Sequence, residues 1–244
     1  KVGQASRIRV TPELVEVGSG SIPTTRWQEA FDSDLADVFR VQEEIAAKVA
    51  RSLEVVLSGK DRSGLSDRPT SDLAAYDAYL RGQEIASKGG SLRAGIAELE
   101  KAVALDPGFS LAWASISIFH TRIYDRFDPS PQEAEAARLA AERAVKLAPN
   151  SSLPAMALAN YYGEIRRDDR QARDLLTHAL ERAPNDVRLM IGIVRREREH
   201  AKRLELLRKA ESVDPRSADV QSFLASNLIC LRSIGEAREA CDRG

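Results

Sequence analysis

The chain has 244 residues, 43% of them hydrophobic and 30% charged, which is the composition of a folded globular protein rather than a disordered one. The 37 acidic and 36 basic residues nearly cancel, so no global field points to nucleic acid or to an anionic membrane. The longest apolar run, from Leu111 to Phe119, is about half of a membrane span, so we expect no membrane-spanning helix in this segment.

Residues 1–57 begin with two strand patterns. Charged and apolar residues alternate in RIRV (7–10) and again in TRWQEAF (25–31), and the segment VGSGSIP (17–23) between them is typical of a turn. Pro12 cannot donate a ladder hydrogen bond, so the first strand is expected to lie at an edge or to be bulged there. The sequence predicts a β-hairpin. Because two strands are marginal alone in water, we expect further strands before Lys1.

A helix and a linker follow the hairpin. Apolar residues recur at three- and four-residue steps from Leu35 to Val56, and Asp34 is a suitable N-cap for the predicted helix. This helix can cover one face of the hairpin. Residues 58–71 are polar and contain Gly, Ser and Pro throughout, so they are predicted to form a linker.

From residue 72 to the end, one pattern recurs with no strand signal. Its prolines are spaced by 42, 35 and 31 residues, around the roughly 34-residue period of a helix-pair repeat. Five residues before each proline stands an alanine, and eight before stands a leucine or alanine. The prolines are Pro107, Pro149, Pro184 and Pro215, the alanines Ala102, Ala144, Ala179 and Ala210, and the third set Leu99, Ala141, Leu176 and Leu207.

The spacing has a physical meaning. Two antiparallel helices approach closely only where a small residue lies at the crossing, and proline ends the second helix of the pair. Each pair has an apolar face that it cannot bury alone, so pairs stack into a solenoid. We predict about four and a half helix pairs, with a C-terminus that is truncated within the fifth. The eight extra residues between Pro107 and Pro149 are expected to lengthen the loop at 124–131.

On these residues, 75–244 resembles tetratricopeptide repeat (TPR) proteins, which implies a right-handed α-solenoid. Residues 7–57 look like the final hairpin and helix of a TolB-like domain, and DRPTSDLAAYDAYLRG looks like the join between such a domain and the repeats. The fold class expected is therefore mainly α, with a small partial α+β segment in front. In bacterial proteins of this arrangement, the output module is a nucleotidyl cyclase, a Ser/Thr kinase or a winged-helix regulator. The resemblance implies a sensory or partner-binding role.

The sequence contains no motif for catalysis or cofactor binding. SGKD (58–61) has Glu54 and Asp61 where a phosphate-binding loop needs Gly and Ser or Thr. His120, His178 and His200 belong to three different repeats and show no metal-ligand spacing, and His120 falls at a packing position of the repeat. We expect no cofactor, no metal and no enzymatic activity in this segment, although the full-length product can carry an output enzyme.

The resemblance also implies where a partner binds. In TPR proteins the first helix of each repeat lines a concave groove, and Asn and basic residues there hold extended peptides. Counting from the prolines places these candidates in the groove: Tyr79, Gln83, Ile118, Met156, Asn160, Arg188, Arg195 and Arg198. We expect a protein or peptide ligand, with an acidic or C-terminal segment bound by the arginines.

Two alternatives stay open at this point. RREREHAKR (195–203) is expected to lie on a helix whose arginines pair with Glu197, Glu199 and their neighbours, in which case they bind nothing. The segment can also be a structural module that forms a homo-oligomer, through the repeats or through the exposed edge of the hairpin. The compartment is not determined by the sequence.

Overall fold

The chain forms two units, Lys1–Leu73 and Ala74–Gly244. The computed structural model describes residues 7–16, 24–34, 41, 44–45, 48–49 and 70–230. The turn predicted at 17–23 and the second helix of the fifth pair lie outside the described residues, and of the predicted linker only residues 70–71 are described. The domain boundaries read from the sequence therefore stay predictions.

The first unit contains the predicted hairpin, and each of its arms is divided into two short strands. One arm comprises β1 (Arg7–Val10) and β2 (Glu13–Glu16), and the other comprises β3 (Thr24–Gln28) and β4 (Phe31–Asp34). Strand β1 pairs antiparallel with β4, and β2 pairs antiparallel with β3. The α+β character of this segment is confirmed.

The first arm divides at Pro12. Its ring has no N–H for the ladder, and across this gap the N–H of Glu29 donates to the Pro12 carbonyl at 3.4 Å. A second irregularity follows, because the pairing steps from Leu14–Trp27 to Val15–Thr25 and makes Arg26 the extra residue of a β-bulge. The predicted disturbance at Pro12 is present, whereas simple alternation did not reveal the bulge.

Described helical residues of the first unit contact the hairpin through Lys48. Residues 41, 44–45 and 48–49 are helical, as the spacing predicts, and Val41 is buried. The Lys48 ammonium lies 4.9 Å from the centroid of the Phe31 ring and also forms an ion pair with Glu29. Phe31 is buried beneath these contacts.

Residues 73–230 form nine α-helices, four antiparallel pairs and the first helix of a fifth. The helix that begins at Ser152, the first of the third pair, continues through a π-helical turn at Tyr161–Ile165. The helices are α1 (Leu73–Ser87), α2 (Leu92–Leu105), α3 (Ser110–Arg126), α4 (Pro131–Leu147), α5 (Ser152–Asn160), α6 (Asp169–Arg182), α7 (Val187–Val194), α8 (His200–Val213) and α9 (Ala218–Cys230). None of the helices in this described part is long and apolar enough to cross a bilayer.

Each second helix ends just before the repeated proline, and the repeated alanine accepts the last hydrogen bond of the helix. The residue before each proline has an extended or irregular backbone, because proline disfavours the helical conformation of its predecessor. Its N–H donates to the carbonyl of the alanine four residues earlier, which closes the last turn. These residues are Asp106, Ala148, Ala183 and Asp214, bonded to Ala102, Ala144, Ala179 and Ala210. The predicted register is confirmed in all four pairs.

The expected long loop in the second pair is wrong. Helices α3 and α4 have 17 residues each, and only residues 127–130 connect them. Ser130 starts α4 early, since its side chain accepts a hydrogen bond from the Glu133 N–H and Pro131 occupies the first helical position. The extra residues therefore lengthen the two helices.

The core consists of small clusters between neighbouring helices. The positions eight before each proline are all buried, at 0–1% exposure, and they are Leu99, Ala141, Leu176 and Leu207. The buried members of the cluster in the second and third pairs are all alanines, Ala114, Ala141, Ala144 and Ala157, and larger partly buried side chains pack against them. Such a cluster allows the helix axes to approach closely, as the sequence predicts.

Replacing Ala144 by leucine is expected to lower the free energy of unfolding by about 1–3 kcal/mol, because the site has no space for the added carbons. Ala144 is fully buried, and its carbonyl accepts a hydrogen bond from the Ser110 hydroxyl at 3.1 Å. Urea denaturation followed by circular dichroism measures the change. The exposed Ala104→Leu is the matched control, and equal midpoints for the two variants would contradict the register.

Candidate functional site

The first helices of successive pairs lie side by side. Helix α3 packs against α5, α5 against α7, and α7 against α9. Their common surface, formed by α1, α3, α5, α7 and α9, is called here the first-helix surface. It carries all the candidate residues named from the sequence except Arg195 and Arg198, which follow the end of α7.

The apolar candidates lie between repeats and are partly exposed. The Tyr79 ring stacks with that of Tyr76 at a centroid distance of 6.3 Å and lies 5.1 Å from Phe109. Ile118 packs against the clusters of the first three pairs, and Met156 packs against the cluster of the third and fourth pairs. These side chains stabilise the stacking and leave part of their area available to a partner.

Gln83 links two neighbouring first helices. Its amide nitrogen donates to the Ser115 hydroxyl at 2.6 Å, from α1 to α3. Both side chains are thereby held in one orientation. Ser115 itself is buried, whereas Gln83 is partly exposed.

Arg188 lies at the opposite end of α7 from Arg195, so the structure does not bring the arginines into one cluster. Seven residues of helix separate them by roughly 10 Å. The Arg188 guanidinium is bonded to Asp186 at 3.3–3.4 Å, and the Asp186 carboxylate also caps α7 through the N–H groups of Arg188 and Leu189. Burial alone would raise the pKa of Asp186, but hydrogen bonds from Ser152 and Arg188 together lower it.

The expected helix over residues 195–203 is wrong for residues 195–199, which are not helical, whereas residues 200–203 are helical. Helix α7 ends at Val194 and α8 begins at His200. The Glu197 carboxylate accepts the N–H groups of Arg198 and Glu199 at 2.7 and 3.1 Å, and such local bonds compete with the helical ladder. These backbone N–H groups, opposed by the effect of burial, lower the pKa of Glu197.

The ion pairs expected within this run are present only in part, because Glu199 pairs inside it whereas Glu197 and Arg195 pair with residues outside it. Glu197 pairs with Arg173 at 3.6 Å and Glu199 with Lys202 at 2.7 Å. Arg195 is exposed and lies 3.4 Å from Glu164 of the π-helical turn. The Arg198 side chain is exposed, and no described residue forms an ion pair or a hydrogen bond with it.

Arg196 is the functional candidate that the sequence pattern missed. Its side chain is 3% exposed, and its guanidinium donates to the Asn160 amide oxygen at 2.9 Å and to the Gly192 carbonyl at 3.0 Å. Glu164 lies 3.6 Å away. Desolvation lowers the pKa of Arg196, and the Glu164 charge opposes this shift. Asn160, Glu164, Arg195 and Arg196 together form what is called here the Arg196 cluster.

The π-helical turn gives the cluster its geometry. The Arg166 N–H donates to the Tyr161 carbonyl five residues earlier at 3.1 Å, and Gly163 in this turn faces the guanidinium. A β-carbon on Gly163 would lie 2.7 Å from the Arg196 Nε, so a larger residue there would force the guanidinium to move. π-helical turns frequently mark functional sites. No sequence signal would have indicated this turn.

The histidines at 120 and 200 are bound to protein groups. His120 Nδ1 lies 2.6 Å from the buried Glu133 carboxylate, which Arg93 also contacts at 2.8 Å, so the packing position read from the sequence is a polar one. His200 Nδ1 lies 2.9 Å from the Asn227 amide oxygen. Within the described ranges, no three His, Cys, Asp or Glu side chains are grouped so that they could hold a metal ion.

Comparison with solved structures shows the fold. PilF of Pseudomonas aeruginosa superposes with a TM-score of 0.55 at 17% identity, covering 70% of this chain and 74% of that one. A thermophilic TPR protein from Thermus thermophilus gives a TM-score of 0.58 at 16% identity, covering 68% and 88%. The helical region is thus a TPR-type α-solenoid preceded by a small β-hairpin segment.

Part of the chain is similar in sequence to a curated bacterial protein. A Rhizobium meliloti (strain 1021) protein that bears the name adenylate cyclase 3 is 29% identical over 116 residues, which are 47% of this chain. The match spans 19% of that protein, about a fifth of its length. No protein-family model matches the chain.

Proposed function

We propose that residues 70–230 form a non-catalytic scaffold that binds an extended peptide along the first-helix surface. The observation that carries the proposal is the Arg196 cluster at the end of a row of partly exposed apolar side chains. Tyr79, Ile118 and Met156 offer area for apolar side chains, and Asn160 and Arg195 offer polar groups beyond them. This arrangement fits a peptide with apolar residues and one carboxylate.

The charges favour an acidic or C-terminal segment as the ligand. In the Arg196 cluster two guanidiniums share one carboxylate, at 3.4 and 3.6 Å from Glu164, distances longer than those of good charge-assisted bonds. Arg198, whose side chain has no partner among the described residues, adds a third positive charge nearby in sequence. A carboxylate supplied by a ligand would add a negative charge beside these guanidiniums, where the exposed Arg195 and Arg198 can reach it.

The experiment uses N-terminally fluorescein-labelled octapeptide pools. Each pool fixes one aspartate at one of the eight positions, and each is made with a free and with an amidated C-terminus. Fluorescence anisotropy against the whole chain is expected to show saturable binding of at least one pool. The position of the fixed aspartate and the effect of amidation identify which carboxylate binds. Absence of binding by every pool would contradict the proposal.

The double substitution Arg195→Glu with Arg198→Glu is expected to abolish this binding. Each lost charge-assisted hydrogen bond costs about 1.5–3 kcal/mol, so the dissociation constant of the best pool should rise roughly 100-fold or more. The matched control is Arg143→Glu with Arg182→Glu, which makes the same charge change on the exposed sides of α4 and α6. Equal affinities for the two double variants would contradict the assignment of Arg195 and Arg198 as the residues that bind the ligand carboxylate.

We also propose that the chain belongs to the regulatory region of a bacterial signalling protein, with a TolB-like segment at 1–57. The similarity to a protein that carries a cyclase name supports this, together with the hairpin and helical residues of the first unit. The coding sequence that precedes Lys1 is the test. A nucleotidyl cyclase, Ser/Thr kinase or winged-helix module is expected there, and a start codon directly upstream would contradict it.

Self-association is the second candidate function, and the hairpin favours it. Within the described residues each arm pairs only with the other arm, so the outer edges of β1 to β4 have no further strand. A second copy of the chain could add its own strand there. Light scattering over a hundredfold concentration range separates the candidates, because a monomer at every concentration excludes this one.

A further inference from the structure

We infer that Arg196 is a positioning residue that turns the Asn160 amide so that its nitrogen faces the first-helix surface. Asn160 then selects a hydrogen-bond acceptor, a backbone carbonyl of the bound peptide, at this point. This inference rests on the proposed function and adds which chemical group the site reads. Arg196 itself contacts no ligand, since its side chain is 3% exposed.

The donor chemistry of the guanidinium fixes the orientation of the amide. A guanidinium has five N–H donors and no acceptor, so the atom of Asn160 that lies 2.9 Å from it must be the amide oxygen. The amide nitrogen of Asn160 therefore points away from Arg196. No described residue accepts a hydrogen bond from that nitrogen, and the Asn160 side chain is partly exposed. Its two N–H groups are available to a ligand.

Arg196 is in turn held rigidly by its surroundings. It donates to the Gly192 carbonyl at 3.0 Å. Gly163 of the π-helical turn lies directly against its guanidinium. The Nε atom is buried and has no hydrogen-bond partner among the described residues. Burying a charged group with incomplete hydrogen bonding is costly, and an apolar side chain would fill this space at lower cost. Packing alone therefore does not explain a buried arginine at this position, whereas its hydrogen bond to the Asn160 amide does.

The arrangement predicts which polar groups of the ligand contact which residues of the first-helix surface. A peptide carbonyl would accept from the Asn160 amide, while a carboxylate of the same peptide would meet the exposed Arg195 one residue before Arg196. The two groups are held together through Glu164, which lies 3.4 Å from Arg195 and 3.6 Å from Arg196. A peptide that presents a backbone N–H at Asn160 would meet a donor and be rejected.

Asn160→Asp is the decisive variant. A carboxylate still accepts the bond from Arg196, so the fold is kept, but the atom facing the groove changes from a donor to an acceptor. Binding of the best octapeptide pool is expected to weaken at least tenfold, and the melting temperature should stay equal or rise. Asn150→Asp, in the exposed turn between α4 and α5, is the matched control for the added charge and should bind like the wild type.

A backbone ester scan of that octapeptide tests the role of Arg196 itself. An ester carbonyl is a weaker acceptor than an amide carbonyl, so at one position the wild type should bind the ester peptide several-fold less tightly. Asn160→Ala and Arg196→Met should both lose this discrimination, which a merely structural Arg196 would leave in place.

The outcomes are distinguishable. If no pool binds the wild type, both the proposed function and this inference fail. If a pool binds, but Asn160→Asp stays within twofold of the wild type or Arg196→Met keeps the ester discrimination, only this inference fails.

Discussion

Leu176→Ala is expected to lower the free energy of unfolding by about 3–5 kcal/mol, the upper part of the range for a buried leucine. Leu176 is 1% exposed and belongs to the cluster that joins the third and fourth pairs, with Ala159, Leu189 and Ile193. The large cost follows because the surrounding helices are held by further pairs on both sides and cannot collapse into the cavity. Urea denaturation followed by circular dichroism gives the midpoint.

The matched control is Leu139→Ala in α4, where the side chain is 53% exposed. The same atoms are removed there without a cavity, so the change should stay within about 0.5 kcal/mol. Equal effects of the two substitutions would show that Leu176 is not in the core and would overturn the packing of the third and fourth pairs.

Gly82→Ala is the second large effect, and its sign is opposite to that expected from helix propensity. In an exposed helix this change stabilises by about 1 kcal/mol. Here a β-carbon on Gly82 would lie 2.8 Å from the Leu99 branch carbon and 2.9 Å from the Gly95 carbonyl oxygen, so α1 and α2 must separate. We expect a net loss of about 2–3 kcal/mol in the free energy of unfolding, because the backbone cannot yield locally.

Gly192→Ala provides the comparison for this prediction. The nearest atoms to a β-carbon there are the two methyl carbons of Leu176, at 3.1 and 3.4 Å, and these can rotate away. The variant should therefore differ little from the wild type in its thermal midpoint. If Gly82→Ala raises the midpoint instead, the close approach of the first helix pair is wrong.

The repeat architecture could be predicted from the sequence because its cause is local. Proline forces its predecessor out of the helix, and the alanine four residues before that predecessor accepts its N–H. Both effects depend only on spacing along the chain. The burial of Leu99 and Leu207, eight residues before their prolines, follows from the same spacing. Where spacing decides the structure, the sequence is enough.

The errors arose where a local bond between a side chain and the backbone decides between two acceptable conformations. Residues 124–131 contain Asp, Pro and Ser and read as a loop, but the Ser130 cap and Pro131 start α4 within them. Residues 195–199 read as a helix because Arg and Glu have high helix propensity, yet the pair must turn there and Glu197 caps the turn.

The candidate site was predicted in part. Counting from the prolines placed Asn160 on a first helix, where the structure has it, but the sequence contains no sign that Arg196 is bonded to it. The bond between Arg196 and Asn160 joins residues 36 apart and depends on a π-helical turn, which no residue pattern in this chain indicates. The β-bulge at Arg26 was missed for a similar reason.

The neighbour-to-neighbour packing of the helices has a consequence for how the protein folds. The substantial contacts in residues 73–230 join helices that are adjacent or next but one along the chain. The loops that must close are therefore short, the entropy lost before the first contacts form is small, and folding should be fast. Any helix pair can start the process and recruit the next, so the chain can acquire structure progressively as it leaves the ribosome.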